Sequence, residues 1–155
     1  MKPSRQDTFM EVAATMARRS TCTRGQVGAV IVKDNRIVAT GYNGSPPGLP
    51  ECIEVGCLTR TLYAWDDDRS SYVDVPTGCQ RAIHAEANAI AWAARHGTPV
   101  ETATMYCTHG PCLHCAQLMA TAGIGYVVFE IPYRMTNGLE LLTEMGIDWK
   151  CVSVD

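Results

Sequence analysis

The sequence predicts an α/β fold, a sheet layered with helices. Three observations carry this. After residue 80, helix-period and strand-period segments alternate to the end of the chain. Before that, one amphipathic helical segment precedes two short β-branched runs. No segment repeats and none is of low complexity, so a solenoid or array is excluded.

In order, residues 7–19 place Phe9, Val12, Ala13 and Met16 at helical spacing, with Ser4 as a candidate N-cap. Residues 27–32 and 36–40 are β-branched runs around Lys33-Asp34-Asn35, which reads as a hairpin. Residues 41–78 form a long irregular stretch with Pro46, Pro47, Pro50 and the acidic run Asp66-Asp67-Asp68. An irregular stretch of that length in a compact domain is functional or is pinned by something. Residues 81–96 are Ala-rich and helical, ended by Gly97 and Pro99. A strand follows at 103–108. Pro111 then opens a helix over 112–122 that Gly123 stops. Residues 126–130 form a strand, 138–145 a helix ended by Gly146, and 149–154 a last strand.

The 155 residues suffice for one domain with its own core, expected over 1–155 with an insertion at about 42–79. No apolar run is long enough to span a bilayer, and residues 1–10 lack the apolar centre of a secretory signal. A cytoplasmic location and no membrane partner are therefore expected. The net charge of −3 argues against a nucleic acid polymer as partner. Arg18, Arg19 and Arg24 form the one dense basic cluster. The eight cysteines, in a chain with no export signal, suit metal or catalysis better than disulfides.

Chemistry concentrates in two short motifs, His84-Ala85-Glu86 and Pro111-Cys112-Leu113-His114-Cys115. Cys112 and Cys115 lie three apart at a helix start, where free N–H groups favour thiolate. With His84 they offer a metal two sulfurs and one imidazole, leaving a fourth position open, as catalytic zinc requires. Glu86 reaches the same space without binding metal and can move protons. His114 faces away and is not expected to be a ligand. A C-x-x-C alone would equally fit a structural zinc or a redox pair. The full pattern, H-x-E followed by P-C-x-x-C, is the signature of zinc-dependent nucleobase deaminases.

Further segments narrow the resemblance. Gly41-Tyr42-Asn43-Gly44-Ser45-Pro46, Glu54-Val55-Gly56-Cys57-Leu58 and His84 through Ile90 resemble the deoxycytidylate (dCMP) deaminase family. So do Ser20-Thr21-Cys22, Val27 through Val32, Thr108-His109-Gly110-Pro111-Cys112 and Tyr133-Arg134. The resemblance implies a cytidine-deaminase-like three-layer α/β/α sandwich with a central mixed five-stranded sheet. It implies hydrolysis of dCMP to dUMP for thymidylate synthesis, with activation by dCTP, inhibition by dTTP, Mg2+ accompanying an effector nucleotide, and a homo-hexamer. Carried over by position, His84, Cys112 and Cys115 hold the catalytic zinc and Glu86 shuttles protons. Asn43, Ala85, Arg24 and Arg134 meet the nucleotide, Asn43 at the sugar and the arginines at the phosphate.

Read as residues alone, Asn43 is also an Asn-Gly turn position, and either arginine could be a solvated surface group. Family members often carry a second, structural zinc. Cys22, Cys52, Cys57 and Cys79 offer four thiolates for one, or are free buried thiols. Glu51 stands where the family often has His. Cys107 and Cys151 read as core strand residues. Among relatives of the motif, a tRNA adenosine deaminase would need a basic surface, and a free cytidine deaminase usually has Cys where His84 stands. A riboflavin-pathway deaminase or a non-catalytic zinc module is disfavoured by the Gly-Tyr-Asn-Gly segment and by Glu86.

Overall fold

The computed structural model describes residues 1–152. Helix α1 spans Arg5–Ala17, and Ser4 caps it: its Oγ accepts from Asp7 N at 3.0 Å, and its own N–H donates to Asp7 Oδ2. Strands β1 (Gly28–Lys33) and β2 (Arg36–Tyr42) form the expected hairpin. Asp34 and Asn35 both have positive φ, 49° and 60°, the two-residue turn whose twist suits a hairpin.

The stretch at 41–78 is more ordered than its composition suggests. It holds a short helix α2 (Cys52–Val55) and a second hairpin, β3 (Thr61–Asp66) with β4 (Ser71–Pro76). Its prolines and acidic run concealed the alternation of Leu62, Ala64, Val73 and Val75 on one hairpin face.

Helix α3 spans Ala85–Arg95, not 81–96. Ile83 instead pairs its backbone with Gly44, N to O at 2.8 Å and O to N at 3.2 Å, which keeps the chain out of the helix up to His84. Strand β5 is Thr104–His109, α4 is Leu113–Ala122, β6 is Tyr126–Ile131, α5 is Asn137–Glu144 and β7 is Asp148–Cys151. The last strand ends earlier than the expected 149–154, of which residues 153 and 154 lie outside the described residues. Gly123 takes the left-handed conformation that stops α4, and Gly146 follows α5 in the same way.

The main sheet is mixed and five-stranded, in the order β2-β1-β5-β6-β7. The β1 pairings are antiparallel, while β5, β6 and β7 run parallel. Helix α1 covers one face through Ala13, Phe9, Val12 and Met16 against Val30, Val32 and Tyr106. Helices α3, α4 and α5 cover the other, burying Ile31, Met105, Met119, Phe129 and Leu142. This is the three-layer sandwich. Cys107 is fully buried in β5, and Cys151 packs at the edge of the same core.

Two local features fix α3, the helix that carries half of the chemistry. Ala85, Ala89 and Ala93 recur every fourth residue and are buried, so along this stripe the helix presents methyl groups to the sheet. Opposite them, Gly41 leaves room for the helix backbone: a Cβ there would fall on Ala85 O and lie 2.6 Å from Ala89 N. Asn88 Nδ2 donates to Tyr42 O at 2.9 Å and pins the pair. Gly41→Ala therefore pushes α3 off β2 and is expected to destabilise by about 2–3 kcal/mol. Gly25, with nothing within 4 Å of its Cβ position, is the control. Denaturant melts of Gly41→Ala and Gly25→Ala check this, with the second expected close to the parent.

Candidate metal centre and active site

Two helix starts meet at the carboxyl end of β5. His84 is the N-cap of α3 and Cys112 the N-cap of α4, both with extended backbone. Cys112 thus sits just before the helix rather than inside it, and its Sγ accepts from Cys115 N at 3.5 Å. Gly138 lets α5 close over this loop, since a Cβ there would clash with Pro111 O and lie 2.9 Å from the Cys112 carbonyl carbon.

His84 Nδ1 lies 3.4 Å from both Cys112 Sγ and Cys115 Sγ. A tetrahedral zinc with ordinary Zn–S and Zn–N bonds separates such donors by about 3.5 Å. The donor set therefore fits zinc. These are three donors within 4.8 Å of one another, and His114 is exposed and outside the group.

The electrostatics suit a cation. Glu86 is 3% exposed, and burial, opposed by its own N–H and by His84, pushes its pKa up to about 7. Cys115 is pushed upward by its contact with the Cys112 sulfur, by burial and by the Glu86 charge. Cys112 is held down to about 3, chiefly by the Cys115 thiol and then by His84. His84 is raised, first by its contact with Cys112. Sulfurs, carboxyl and imidazole are so crowded that they cannot all take their metal-binding charge states unaided; a divalent cation removes that conflict.

An inner cavity of about 140 Å3 opens at Glu86, lined by Val27, Asn43, His84, Ala85, His109 and Tyr133 among others. It continues into an outer cleft of about 370 Å3 that carries Arg24 and Arg134. Asn43, Ala85, Arg24 and Arg134, the residues expected to meet a nucleotide, all line one or both of these spaces. Asn43 also has a structural task. Its Oδ1 accepts from Val27 N and its Nδ2 donates to Gly25 O, each at 2.8 Å. His109 and Tyr133 were missed as site residues. Their signal was position alone, within the Thr108–Cys112 segment and beside Arg134.

Of the four cysteines offered for a second zinc, Cys52, Cys57 and Cys79 come together, with Cys52 Sγ 3.7 Å from Cys79 Sγ. Cys22 is outside that group, though its charge still helps to raise Cys52. At Cys79 burial works upward, but the N–H groups of Ala82, Arg81 and Leu58 outweigh it and bring the thiol to about 7. All eight cysteines are free of disulfides. No helix among the described residues is long and apolar enough to cross a membrane.

Comparison with known proteins agrees with this geometry. A family model described as the cytidine and deoxycytidylate deaminase zinc-binding region matches residues 3–131. The deoxycytidylate deaminase of Enterobacteria phage T2 is 32% identical over 182 residues, covering 94% of this chain and 95% of that one. The ComE operon protein 2 of Bacillus subtilis is 38% identical over 148 residues, 95% of this chain and 70% of that one. The crystal structure of dCMP deaminase from the cyanophage S-TIM5, in complex with dCMP and dUMP, matches with a TM-score of 0.76. That match is at 28% identity and covers 98% of this chain and 99% of the other. With the zinc-type donor set, the buried carboxyl beside it and a family match over most of its length, this chain belongs to the cytidine and deoxycytidylate deaminase family.

Proposed function

We propose that this protein deaminates dCMP hydrolytically to dUMP and ammonia, supplying dUMP for thymidylate synthesis. The observation that carries the reading is the buried Glu86 beside three zinc-type donors, at the closed end of a path that runs out to Arg24 and Arg134. The dCMP-bound relative of the same fold supports the substrate.

His84, Cys112 and Cys115 would hold the zinc, which when bound supplies the Lewis acid that makes water nucleophilic at neutral pH. Glu86 takes the proton that water loses and hands it to ring N3, which makes C4 more electrophilic. The oxygen joins C4; Glu86 takes the remaining proton of that new hydroxyl and delivers it to the departing nitrogen as the C4–N bond breaks, leaving the C4 carbonyl and ammonia. The buried, raised carboxyl suits this traffic because it exchanges protons near neutrality. Asn43 and the Ala85 backbone orient the sugar and base. Arg24 and Arg134 offer the phosphate forked hydrogen bonds.

The reading extends further. The chain is one deaminase domain over 1–155 with its insertion at about 42–79, working in the cytoplasm, where its thiols stay reduced. Cys52, Cys57 and Cys79, completed by Cys22, hold a second, structural zinc that ties the insertion to the body. The family resemblance adds control by dCTP and dTTP, with Mg2+ accompanying the effector, and a homo-hexameric assembly.

Three outcomes are expected. Glu86→Gln retains zinc by metal analysis but loses about 100- to 10,000-fold in kcat; loss of zinc would make Glu86 a ligand. Chromatography of products from dCMP, CMP, deoxycytidine and dCTP is expected to show dCMP turned over at least about tenfold more efficiently than deoxycytidine. Arg24→Ala and Arg134→Ala should narrow that ratio. Equal turnover of deoxycytidine would remove the nucleotide assignment. Metal analysis of the parent should give two zinc ions per chain, falling to one in Cys57→Ser.

A further inference from the structure

His109 ends β5 and lines both the inner cavity and the outer cleft. Its Nδ1 lies 3.0 Å from Thr108 Oγ1. That hydroxyl is buried and already accepts from Gly28 N at 3.1 Å. The Thr108 proton has no other acceptor among the described residues, so it is donated to His109 Nδ1. The ring therefore carries its own proton on Nε2. No protein group among the described residues accepts it.

The position of that free donor along the path identifies what it meets. With the base against Glu86 and the phosphate against Arg24 and Arg134, the sugar occupies the junction. Val27, Asn43, His84, His109 and Tyr133 border both cavities. Val27 has no polar side chain. His84 Nδ1 faces the two sulfurs, and the Asn43 amide spends its oxygen on Val27 and one of its two N–H groups on Gly25, which leaves one N–H for the sugar. Tyr133 lies beside Arg134, toward the phosphate, with 5.8 Å from its ring centroid to the guanidinium carbon. His109 adds its own Nε2–H to the donors at the junction, on a ring whose other nitrogen is held by Thr108.

We propose that His109 donates from Nε2 to the 3′-hydroxyl of the substrate, the single hydroxyl of a 2′-deoxypentose, and thereby fixes the depth of the base against Glu86. The inference rests on the reading of the site as a deoxynucleotide deaminase. It makes His109 a substrate-binding residue and Thr108 the residue that sets its tautomer.

The test is a cycle of kcat/KM values for the parent, His109→Phe and His109→Gln on dCMP and on 2′,3′-dideoxycytidine monophosphate. The parent is expected to lose about 10- to 100-fold when the hydroxyl is removed. His109→Phe should lose a similar factor on dCMP and little more on the dideoxy substrate. His109→Gln, whose amide nitrogen reaches toward the Nε2 position, should recover part of the loss on dCMP alone. Zinc content and melting temperature of His109→Gln check that the fold is kept. If His109→Phe remains as sensitive to the missing hydroxyl as the parent, the inference is overturned. A parent that turns over neither substrate overturns the deaminase reading itself, which the parent's rate on dCMP alone reveals.

Discussion

Two buried thiols and a buried carboxyl gathered around one imidazole form an arrangement that a protein does not adopt without cause. Their charges are in conflict: Glu86 is driven toward its neutral form chiefly by burial and Cys115 chiefly by the Cys112 sulfur, while Cys112 retains charge through contact with Cys115 and His84. A divalent cation turns these repulsions into attractions. The fold enforces the crowding from two sides. The alanine stripe of α3 and the missing Cβ of Gly41 bring His84 and Glu86 down onto the sheet. The close passage of Gly138 over the Pro111–Cys112 turn holds the other half in place.

The same geometry separates chemistry from recognition. Cation, carboxyl and ring would meet in a small inner cavity, whereas the two arginines stand in a wider outer cleft. Members of this family can thus share the inner end and differ in what they accept by changing the outer one. Here the outer wall is contributed partly by residues 22–25 and 78–82, which also bear Cys22 and Cys79. A metal at the cysteine cluster would therefore brace the recognition cleft as well as the insertion, a link between stability and specificity.

Much of this was legible in the residues because spacing encodes it. Helical and strand periods located the main elements, and the separation of Cys112 from Cys115 placed two sulfurs together before any coordinate was known. What was not legible was set by tertiary pairing. Helix α3 begins at Ala85 because Ile83 bonds to Gly44, and no local propensity reports that contact. The hairpin at 61–76 was hidden by its polar and proline-rich surroundings. Asn43 reads in sequence as a ligand or a turn, yet its amide also locks the 25–27 segment. His109 lay inside the Thr108–Cys112 segment, whose pattern reports the family and not the task of that ring. Its place at the junction depends on where β5 ends relative to two cavities.

The central claim is that three protein donors hold the metal and Glu86 stays beside it, unbound, with one coordination position left for a non-protein oxygen. Anomalous diffraction at the zinc edge from crystals of the zinc-loaded protein tests this directly. The account predicts a peak within bonding distance of His84 Nδ1, Cys112 Sγ and Cys115 Sγ, with a water or substrate oxygen as the fourth neighbour. A peak whose fourth ligand is Glu86, His109 or His114 would contradict it, because the position that the chemistry requires would then be closed.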